Sequence, residues 1–163
     1  MKKITTLCII HNHPKVLLGM KKRGLGKGCW NGFGGKVKKD EAIEKGVKRE
    51  LLEECGLDVP VKKFEKMGII EFSFRDIPDT LENHFFRIEN FYGRSPFETS
   101  EMKPKWFHVK EIPLDQMWPD DTYWMPLFLK GKKFRGKFVF DRPSSEEYSS
   151  EIIEKFIEEV EEL

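Results

Sequence analysis

Apolar and polar residues alternate along this chain in short runs that predict a protein rich in β-strands. Val, Ile and Phe recur in seven such runs, and the expected strands are 4–10, 15–20, 59–64, 67–75, 83–91, 104–109 and 133–140. Turn-forming residues separate neighbouring runs, with Asn12-His13-Pro14 after the first run and Pro78-Asp79 before 83–91. The pattern therefore predicts a hairpin or meander at the start of the chain.

Two internal segments carry a helical pattern instead. Residues 40–55 predict a helix that is capped by Asp40 and ends at Gly56. Residues 117–129 have helical length and an aromatic stripe, with Pro119 near the start, where proline is tolerated. The mixture of strands and helices predicts an α/β protein.

The acidic end of the chain, residues 141–163, is predicted to be a helical extension. Its apolar residues fall on one face of a helix and glutamates fill the other: Ile152, Ile153, Phe156, Ile157, Val160 and Leu163. We expect this face to pack back on the domain, with a partner or dimer contact as the alternative. Because 163 residues suit one domain, the chain is expected to be a single unit, 1–163.

Charge and cysteine content limit the kinds of ligand and the cellular compartment to be expected. Residues 1–39 hold ten Lys or Arg and no acid, which suits a phosphate-bearing ligand or an ordinary lysine-rich surface. The three cysteines, Cys8, Cys29 and Cys55, show no zinc spacing and are expected to be buried free thiols. No segment reaches transmembrane length. We therefore expect a cytoplasmic protein, also nuclear or mitochondrial if eukaryotic, that binds no membrane and is a monomer.

The strongest chemical signal is a group of carboxylates on the helix 40–55. Glu50, Glu53 and Glu54 are spaced i, i+3, i+4 and so share one helical face. Crowded carboxylates repel one another unless cations lie among them, and hard oxygen ligands suit Mg²⁺, or alternatively Mn²⁺. A glycine-rich loop at 24–35 precedes this helix, and such loops bring backbone groups close to phosphate.

Together these residues resemble the Nudix hydrolase family. The family motif is matched at every defined position, by Gly35, Glu41, Arg49, Glu50, Leu51, Glu53, Glu54, Gly56 and Leu57. The resemblance implies an α/β/α sandwich around a mixed sheet, in which the motif forms a loop, a helix and a loop. It also implies that the expected metal ligands are Gly34, Gly35, Glu50, Glu53, Glu54 and, from outside the motif, Glu101.

The family resemblance implies hydrolysis of a nucleoside triphosphate between the α and β phosphates. Arg49 is expected to orient a glutamate through a charge-assisted hydrogen bond. A glutamate takes the proton of the attacking water. Glu53, Glu54 and Glu101 are the three candidates, and the sequence does not distinguish them.

Two longer segments, 17–37 and 117–128, resemble the vertebrate branch of the family that removes oxidised purine nucleoside triphosphates from the nucleotide pool. A purine requires an aromatic face and polar groups at its edge. The expected substrate-binding residues are Thr6, Lys21, Asn31, Phe33, Gly34, Gly35, Lys36, Phe72, Phe74, Met102, Trp118, Pro119, Asp120, Asp121 and Phe140. For the phenylalanines, a place in the core is an equally good interpretation.

The adjacent acids Asp120 and Asp121 suggest how two oxidised bases, 8-oxoguanine and 2-hydroxyadenine, are accepted. Two neighbouring carboxyls in an apolar pocket resist ionising together, so one donates and the other accepts a hydrogen bond. Our hypothesis is that the two residues exchange these roles; the alternative is that one of them caps the helix. Leu25 stands where the vertebrate branch has Phe, which removes one aromatic wall.

Three other functions are compatible with parts of the sequence. The chain could be a Nudix hydrolase for a nucleotide sugar, ADP-ribose or capped RNA, although the run from Trp118 to Asp121 argues against this. It could be a non-catalytic Nudix module, but such modules typically lose the motif glutamates. Nucleic-acid binding through the basic residues 1–39 is not expected, because the rest of the chain balances their charge.

Overall fold

The computed structural model describes residues 1–163 and is built around one mixed sheet of eight strands. The strands are β1 Lys2–Asn12, β2 Lys15–Lys21, β3 Trp30–Asn31, β4 Glu65–Phe74, β5 Ile77–Glu89, β6 Met102–His108, β7 Lys133–Phe140 and β8 Ile152–Val160. The helices are α1 Ile43–Cys55 and α2 Asp121–Leu129. The strand order is β3-β2-β1-β5-β4-β7-β8, and β6 pairs with β2.

The sheet is mixed because two strand pairs are parallel and the others are antiparallel. β1 runs parallel to β5, from Lys2 opposite Thr80 to His11 opposite Glu89, and β4 runs parallel to β7. One helix covers each face of the sheet, so the α/β fold expected from the sequence is confirmed. Neither helix has the length and apolar character that a membrane span requires.

The two faces of the sheet build separate cores because successive strand residues point in opposite directions. In β1, Leu7 and Ile9 pack with the aromatic cluster beneath α2, whereas Cys8 and Ile10 pack beneath α1. All three cysteines are buried free thiols, as expected from their apolar surroundings.

Helix α1 begins three residues later than the sequence predicted. Asp40 does not cap it, because its φ of 64° places it in the left-handed region of a turn. The capping position is held by Ala42, which offers no side-chain acceptor. The predicted end is confirmed: Gly56 is left-handed at φ 78°, and its N–H donates to the carbonyl of Leu52.

Several strand and helix boundaries also differ from the prediction. β5 begins at Ile77, and Pro78 and Asp79 lie within it, because the missing N–H of Pro78 falls at an irregularity of the β4–β5 ladder. Residues 59–64 are not a strand; a 3₁₀ turn occupies Val61–Lys63 after Pro60. α2 begins at Asp121 rather than at residue 117.

The prediction of a C-terminal helix is wrong. Residues 152–160 form β8, which pairs antiparallel with β7 along its whole length. β7 would otherwise expose a row of unpaired N–H and C=O groups, and the β-favouring Ile, Phe and Val of the tail satisfy them. A bulge near Phe140 turns both Ile152 and Ile157 toward the core, while Phe156 remains 55% exposed. The segment is therefore part of the sheet.

Candidate active site

A cavity of about 400 Å³ opens on the sheet between the glycine-rich loop and the start of α2. Most of the predicted site residues line it: Thr6, Lys21, Asn31, Gly34, Gly35, Lys36, Glu54, Phe72, Phe74, Met102, Trp118, Asp120 and Asp121. The cavity joins an acidic end at Glu54 to a second acidic end at Asp120 and Asp121. Aromatic side chains also line the cavity.

Three residues predicted to bind substrate do not line the cavity. Phe33 is fully buried in the core beneath α1, on the other face of the sheet. Phe140 is also fully buried, with its ring 5.9 Å from that of Phe72 and 5.6 Å from that of Trp118. Phe140 therefore contacts residues of the cavity wall without lining the cavity itself. Pro119 does not line the cavity either, although the two aspartates that follow it do.

The structure adds wall residues that the sequence did not identify: Thr5, Leu7, Gly32, Leu81, Asn83 and Phe85. The last three alternate along β5 and so share one face of the sheet. That alternation was available in the sequence, but the parallel pairing of β5 with β1 was not. Leu25, which the sequence marked as a departure, lies at the rim and is 51% exposed.

Three carboxylates converge at the acidic end beside α1. Ligand oxygens of Glu50, Glu54 and Glu101 all lie within 4.8 Å of one another. The first two are one turn apart on α1, and the third arrives from the loop before β6. That loop is held by the Thr99 hydroxyl, which donates to the Glu54 carbonyl at 2.9 Å. Glu53 lies outside this cluster, and its side chain is 47% exposed.

Arg49 fixes the geometry around the cluster. Its guanidinium donates to both carboxylate oxygens of Glu41 at 2.8 and 2.9 Å, and to Glu50 at 3.0 Å. The hydrogen bond from Arg49 lowers the pKa of Glu41 to about 2. Arg49 also donates to the carbonyl of Lys36 at 3.2 Å, so one side chain ties the helix to the glycine-rich loop.

Glu54 is the most buried member of the cluster. Burial raises its pKa to about 8, although the backbone N–H of Gly34 donates to it at 2.7 Å and opposes the shift. Burial also raises the pKa of Glu50. Carboxylates that are buried together in this way ionise readily only when a cation shares the site.

The donor set fits a divalent cation such as Mg²⁺. It consists of hard carboxylate oxygens next to backbone groups at Gly34 and Gly35. A Cβ at Gly34 would lie 1.8 Å from the carbonyl oxygen of Thr6, and one at Gly35 would lie 2.7 Å from the Glu50 carboxylate. The loop can therefore approach the cluster this closely only with glycine at both positions.

The opposite end of the cavity holds the buried aspartate pair. An Asp120 carboxylate oxygen accepts a hydrogen bond from the Trp124 indole N–H at 2.8 Å. The Asp120 side chain therefore does not cap α2. The Asp121 carboxyl has a buried oxygen, Oδ2, without a protein partner. Burial raises the pKa of both carboxyls, that of Asp120 to about 6.

Asn31 is another polar residue of the cavity wall, and its side chain is held in place. The Asn31 side-chain oxygen accepts from the N–H of Gly32 at 2.9 Å, which leaves its amide N–H groups available to a ligand. Trp118 offers a flat apolar wall. Between them, Asn31 and the aspartate pair supply the donors and acceptors that a purine edge requires.

The loop at 24–28 closes one side of the cavity and is itself held by the C-terminal segment. The N–H of Glu146, in the loop between β7 and β8, donates to the carbonyl of Lys27 at 2.9 Å. A Cβ at Gly28, where φ is 84°, would lie 2.2 Å from the Glu146 Cβ. A Cβ at Gly26, where φ is 83°, would lie 2.9 Å from the indole nitrogen of Trp118. The C-terminal segment therefore contacts the loop that carries Leu25.

Comparison with known proteins gives consistent matches. The NUDIX domain model matches residues 1–128. The oxidized purine nucleoside triphosphate hydrolase of Mus musculus is 46% identical over 155 residues, which cover 94% of this chain and 97% of that protein. The Danio rerio protein of the same name is 45% identical over 161 residues, covering 99% and 97%. A MutT protein structure from Bacillus halodurans superposes with a TM-score of 0.78 at 26% identity, covering 95% and 97%.

Proposed function

Because this chain belongs to the Nudix family, we propose that it hydrolyses oxidised purine nucleoside triphosphates to the monophosphate and pyrophosphate, with a divalent cation as cofactor. The observation that carries this proposal is a single cavity that joins the carboxylate cluster, through Glu54, to the buried pair Asp120–Asp121. The mouse and zebrafish relatives are named for hydrolysis of oxidised purine nucleotides, and both match this chain along nearly its whole length.

The aspartate end is suited to an oxidised purine. Oxidation at C8 of guanine turns N7 into an N–H donor, and a hydroxyl or oxo group at C2 of adenine adds polar character to its edge. The buried pair holds a proton above the pH at which an isolated aspartate ionises, so it offers both a donor and an acceptor. The unpartnered Oδ2 of Asp121 is the group that a base would satisfy.

The glutamate end is suited to the phosphates. Glu50, Glu54 and Glu101 would hold Mg²⁺ or Mn²⁺, and Gly34 and Gly35 would contribute backbone groups. A bound divalent cation neutralises phosphate oxygens and lowers the pKa of a water molecule. Arg49 keeps the Glu50 side chain and the loop carbonyl of Lys36 in place for this.

The reaction itself needs one proton acceptor and one positioned water. The water oxygen bonds to one of the two phosphorus atoms that flank the oxygen bridging the α and β phosphates. The bond between that phosphorus and the bridging oxygen breaks, and the products are the monophosphate and pyrophosphate. The proton of the water passes to a carboxylate of the site. Glu54 and Glu101 lie in the cluster, whereas Glu53 lies outside it, which favours one of the first two as the base.

The test is release of pyrophosphate from 8-oxo-dGTP, 2-hydroxy-dATP, dGTP and dATP, with and without Mg²⁺. We expect preference for the two oxidised nucleotides, dependence on the cation, and loss of activity in Glu54→Gln. Equal turnover of dGTP would support hydrolysis of nucleoside triphosphates but contradict the preference for oxidised bases. Activity only on ADP-ribose or a nucleotide sugar would overturn the proposed substrate.

A further inference from the structure

A second groove, of about 370 Å³, lies beside the cavity and is lined on several sides by lysines. Its lysines come from two separate parts of the chain: Lys2, Lys3, Lys36, Lys38 and Lys39. Ile4, Val37, Glu41 and Ile43 complete the wall. We call this feature the lysine groove.

The fold brings the two lysine-rich segments together. The segment that follows Gly35 runs antiparallel along β1, with Thr5 bridged to Lys36. The N–H of Val37 donates to the carbonyl of Ile4 at 3.0 Å. Lysines far apart in the sequence therefore face the lysine groove together. The groove collects five of the ten basic residues in 1–39.

The positive charge of the groove is only partly compensated. Lys2 pairs with Glu82 at 3.4 Å and Lys3 with Asp79 at 3.0 Å at the rim. Glu41 is the acid in the wall, and Arg49 already occupies both of its carboxylate oxygens. The three remaining lysines have no carboxylate partner: Lys36, Lys38 and Lys39. The groove therefore carries excess positive charge suited to a multiply charged anion.

Lys36 links the lysine groove to the active-site cavity because it lines both. It directly follows Gly34 and Gly35, which approach the carboxylate cluster. A phosphate chain that extends from the cluster past Lys36 would enter the groove. We propose that the lysine groove binds a chain of phosphates, namely the phosphates of the substrate furthest from the nucleoside and the pyrophosphate that leaves.

This inference rests on the proposed function for the identity of the substrate, but not for the binding of phosphate. The groove adds affinity for each further phosphate group. The chain should therefore bind nucleoside triphosphates more tightly than diphosphates, and should bind inorganic tripolyphosphate without any nucleoside.

The experiment measures tripolyphosphate binding to the full chain by calorimetry, which needs no turnover. The test variant is the double substitution Lys38→Gln and Lys39→Gln, at positions outside the active-site cavity. The matched control is Lys62→Gln with Lys63→Gln, an adjacent exposed pair that lines neither the cavity nor the lysine groove and removes the same charge. We expect binding about threefold to tenfold weaker in the groove variant and little changed in the control.

Kinetics supply a second measurement. The groove variant should raise KM for the triphosphate and weaken inhibition by pyrophosphate, while inhibition by the nucleoside monophosphate stays the same. Equal weakening in both double variants would overturn the proposal, because net charge alone would explain it. Unchanged tripolyphosphate binding in a folded groove variant would also overturn it, as would lysine-dependent binding of a DNA oligonucleotide without binding of tripolyphosphate.

Failure of this inference and failure of the proposed function are distinguishable. If the chain hydrolyses oxidised nucleotides but binds tripolyphosphate independently of Lys38 and Lys39, the proposed function is supported and the proposed role of the lysine groove is rejected. If the chain binds tripolyphosphate through these lysines but hydrolyses none of the nucleotides, the proposed role of the lysine groove is supported and the proposed reaction is rejected.

Discussion

The two ends of the active-site cavity are both acidic, but they are built in different ways. At the α1 end, Glu50 and Glu54 are neighbours on one helix, and Arg49 from the same helix bonds to Glu50. At the α2 end, Asp120 and Asp121 are both buried, and no cationic side chain bonds to either of them. At the first end a guanidinium bonds to one carboxylate of the cluster, whereas at the second end the hydrogen-bond donor to Asp120 is a neutral indole N–H.

This difference explains why the two ends suit different parts of one ligand. Three carboxylates whose oxygens converge within 4.8 Å, next to the backbone N–H of Gly34, are suited to a cation and, through it, to phosphates. Buried carboxyls that keep a proton can donate and accept hydrogen bonds within a few ångströms, which suits the edge of a base.

The largest effect is expected from Glu54→Gln. Loss of the Glu54 carboxylate removes a proposed metal ligand and a candidate base, and we expect kcat to fall by about 10²- to 10⁴-fold. Glu53→Gln, on the same helix but outside the cluster, should have a smaller effect. The two variants should be compared in kinetics and in Mn²⁺ binding by calorimetry. Equal losses would contradict the assignment of the cluster.

The next effect is expected at the aspartate pair. Asp120→Asn and Asp121→Asn each fix one group as a permanent neutral amide, which prevents the exchange of roles. We expect kcat/KM for one oxidised base to fall by about tenfold to a hundredfold relative to the other. Asp115→Asn, at an exposed position, is the control. If both substitutions leave the ratio of 8-oxo-dGTP to 2-hydroxy-dATP turnover unchanged, the hypothesis of exchanged roles fails.

The raised pKa values of the pair also predict how stability depends on pH. In the unfolded chain both carboxyls ionise near pH 4, whereas burial raises the pKa of Asp120 to about 6 and that of Asp121 well above its ordinary value. Above about pH 4 the folded state therefore binds more protons than the unfolded state, and the free energy of unfolding falls as pH rises.

Asp121→Asn should reduce the fall in the free energy of unfolding that accompanies rising pH. The free energy of unfolding of the variant, relative to the unsubstituted chain, should increase between about pH 4 and about pH 7, by at most about 1.4 kcal/mol per pH unit. Urea denaturation at several pH values measures it. A difference that does not vary with pH would show that the pair ionises as freely as exposed aspartates do.

The smallest effect is expected from Gly28→Ala, compared with Gly24→Ala. Both glycines have positive φ, so both substitutions strain the backbone by about 1 kcal/mol. The Cβ added at Gly28 also meets Glu146, whereas the one at Gly24 meets only the end of Lys21 at 4.0 Å. KM for the oxidised nucleotide should rise about twofold to fivefold more at position 28. Identical KM values would mean that the contact with Glu146 does not position the loop.

The α1 end could be predicted from the sequence because its geometry is local. Helical spacing places Glu50 and Glu54 on one face without any knowledge of the rest of the fold. The same spacing placed Glu53 on that face, but the position of Glu101 shifts the cluster toward the more buried Glu54. Spacing alone therefore identified the right helix face, and Glu53 is the member of the predicted set that lies outside the cluster.

The α2 end could be predicted only in part. Asp120, Asp121 and Trp118 come from one short segment, but the opposite wall comes from β1, β4 and β5, and its position depends on strand pairing. Phe72 and Phe140 show the limit: both are apolar strand residues with stacked rings, yet only Phe72 lines the cavity. The order of strands in the sheet decides which of them faces the ligand.

The C-terminal segment shows the opposite failure, because its local pattern was misleading. Ile152, Phe156 and Ile157 have the spacing of an amphipathic helix, and the tail is rich in glutamate, a good helix former. The free edge of β7 offered hydrogen bonds along a whole strand, and pairing with it outweighed the local preference. No pattern within the segment contains that information.

The hydrogen bond from the N–H of Glu146 to the carbonyl of Lys27 joins the loop between β7 and β8 to the loop beside the cavity. Any ligand that orders residues 24–28 must stabilise the contact, and by thermodynamic reciprocity an ordered loop between β7 and β8 must strengthen ligand binding by the same factor. The amide hydrogen of Glu146 should then exchange with solvent more slowly when a nucleotide is bound. Slower exchange at this position, which is remote in sequence from the motif residues, would then report that the cavity is occupied.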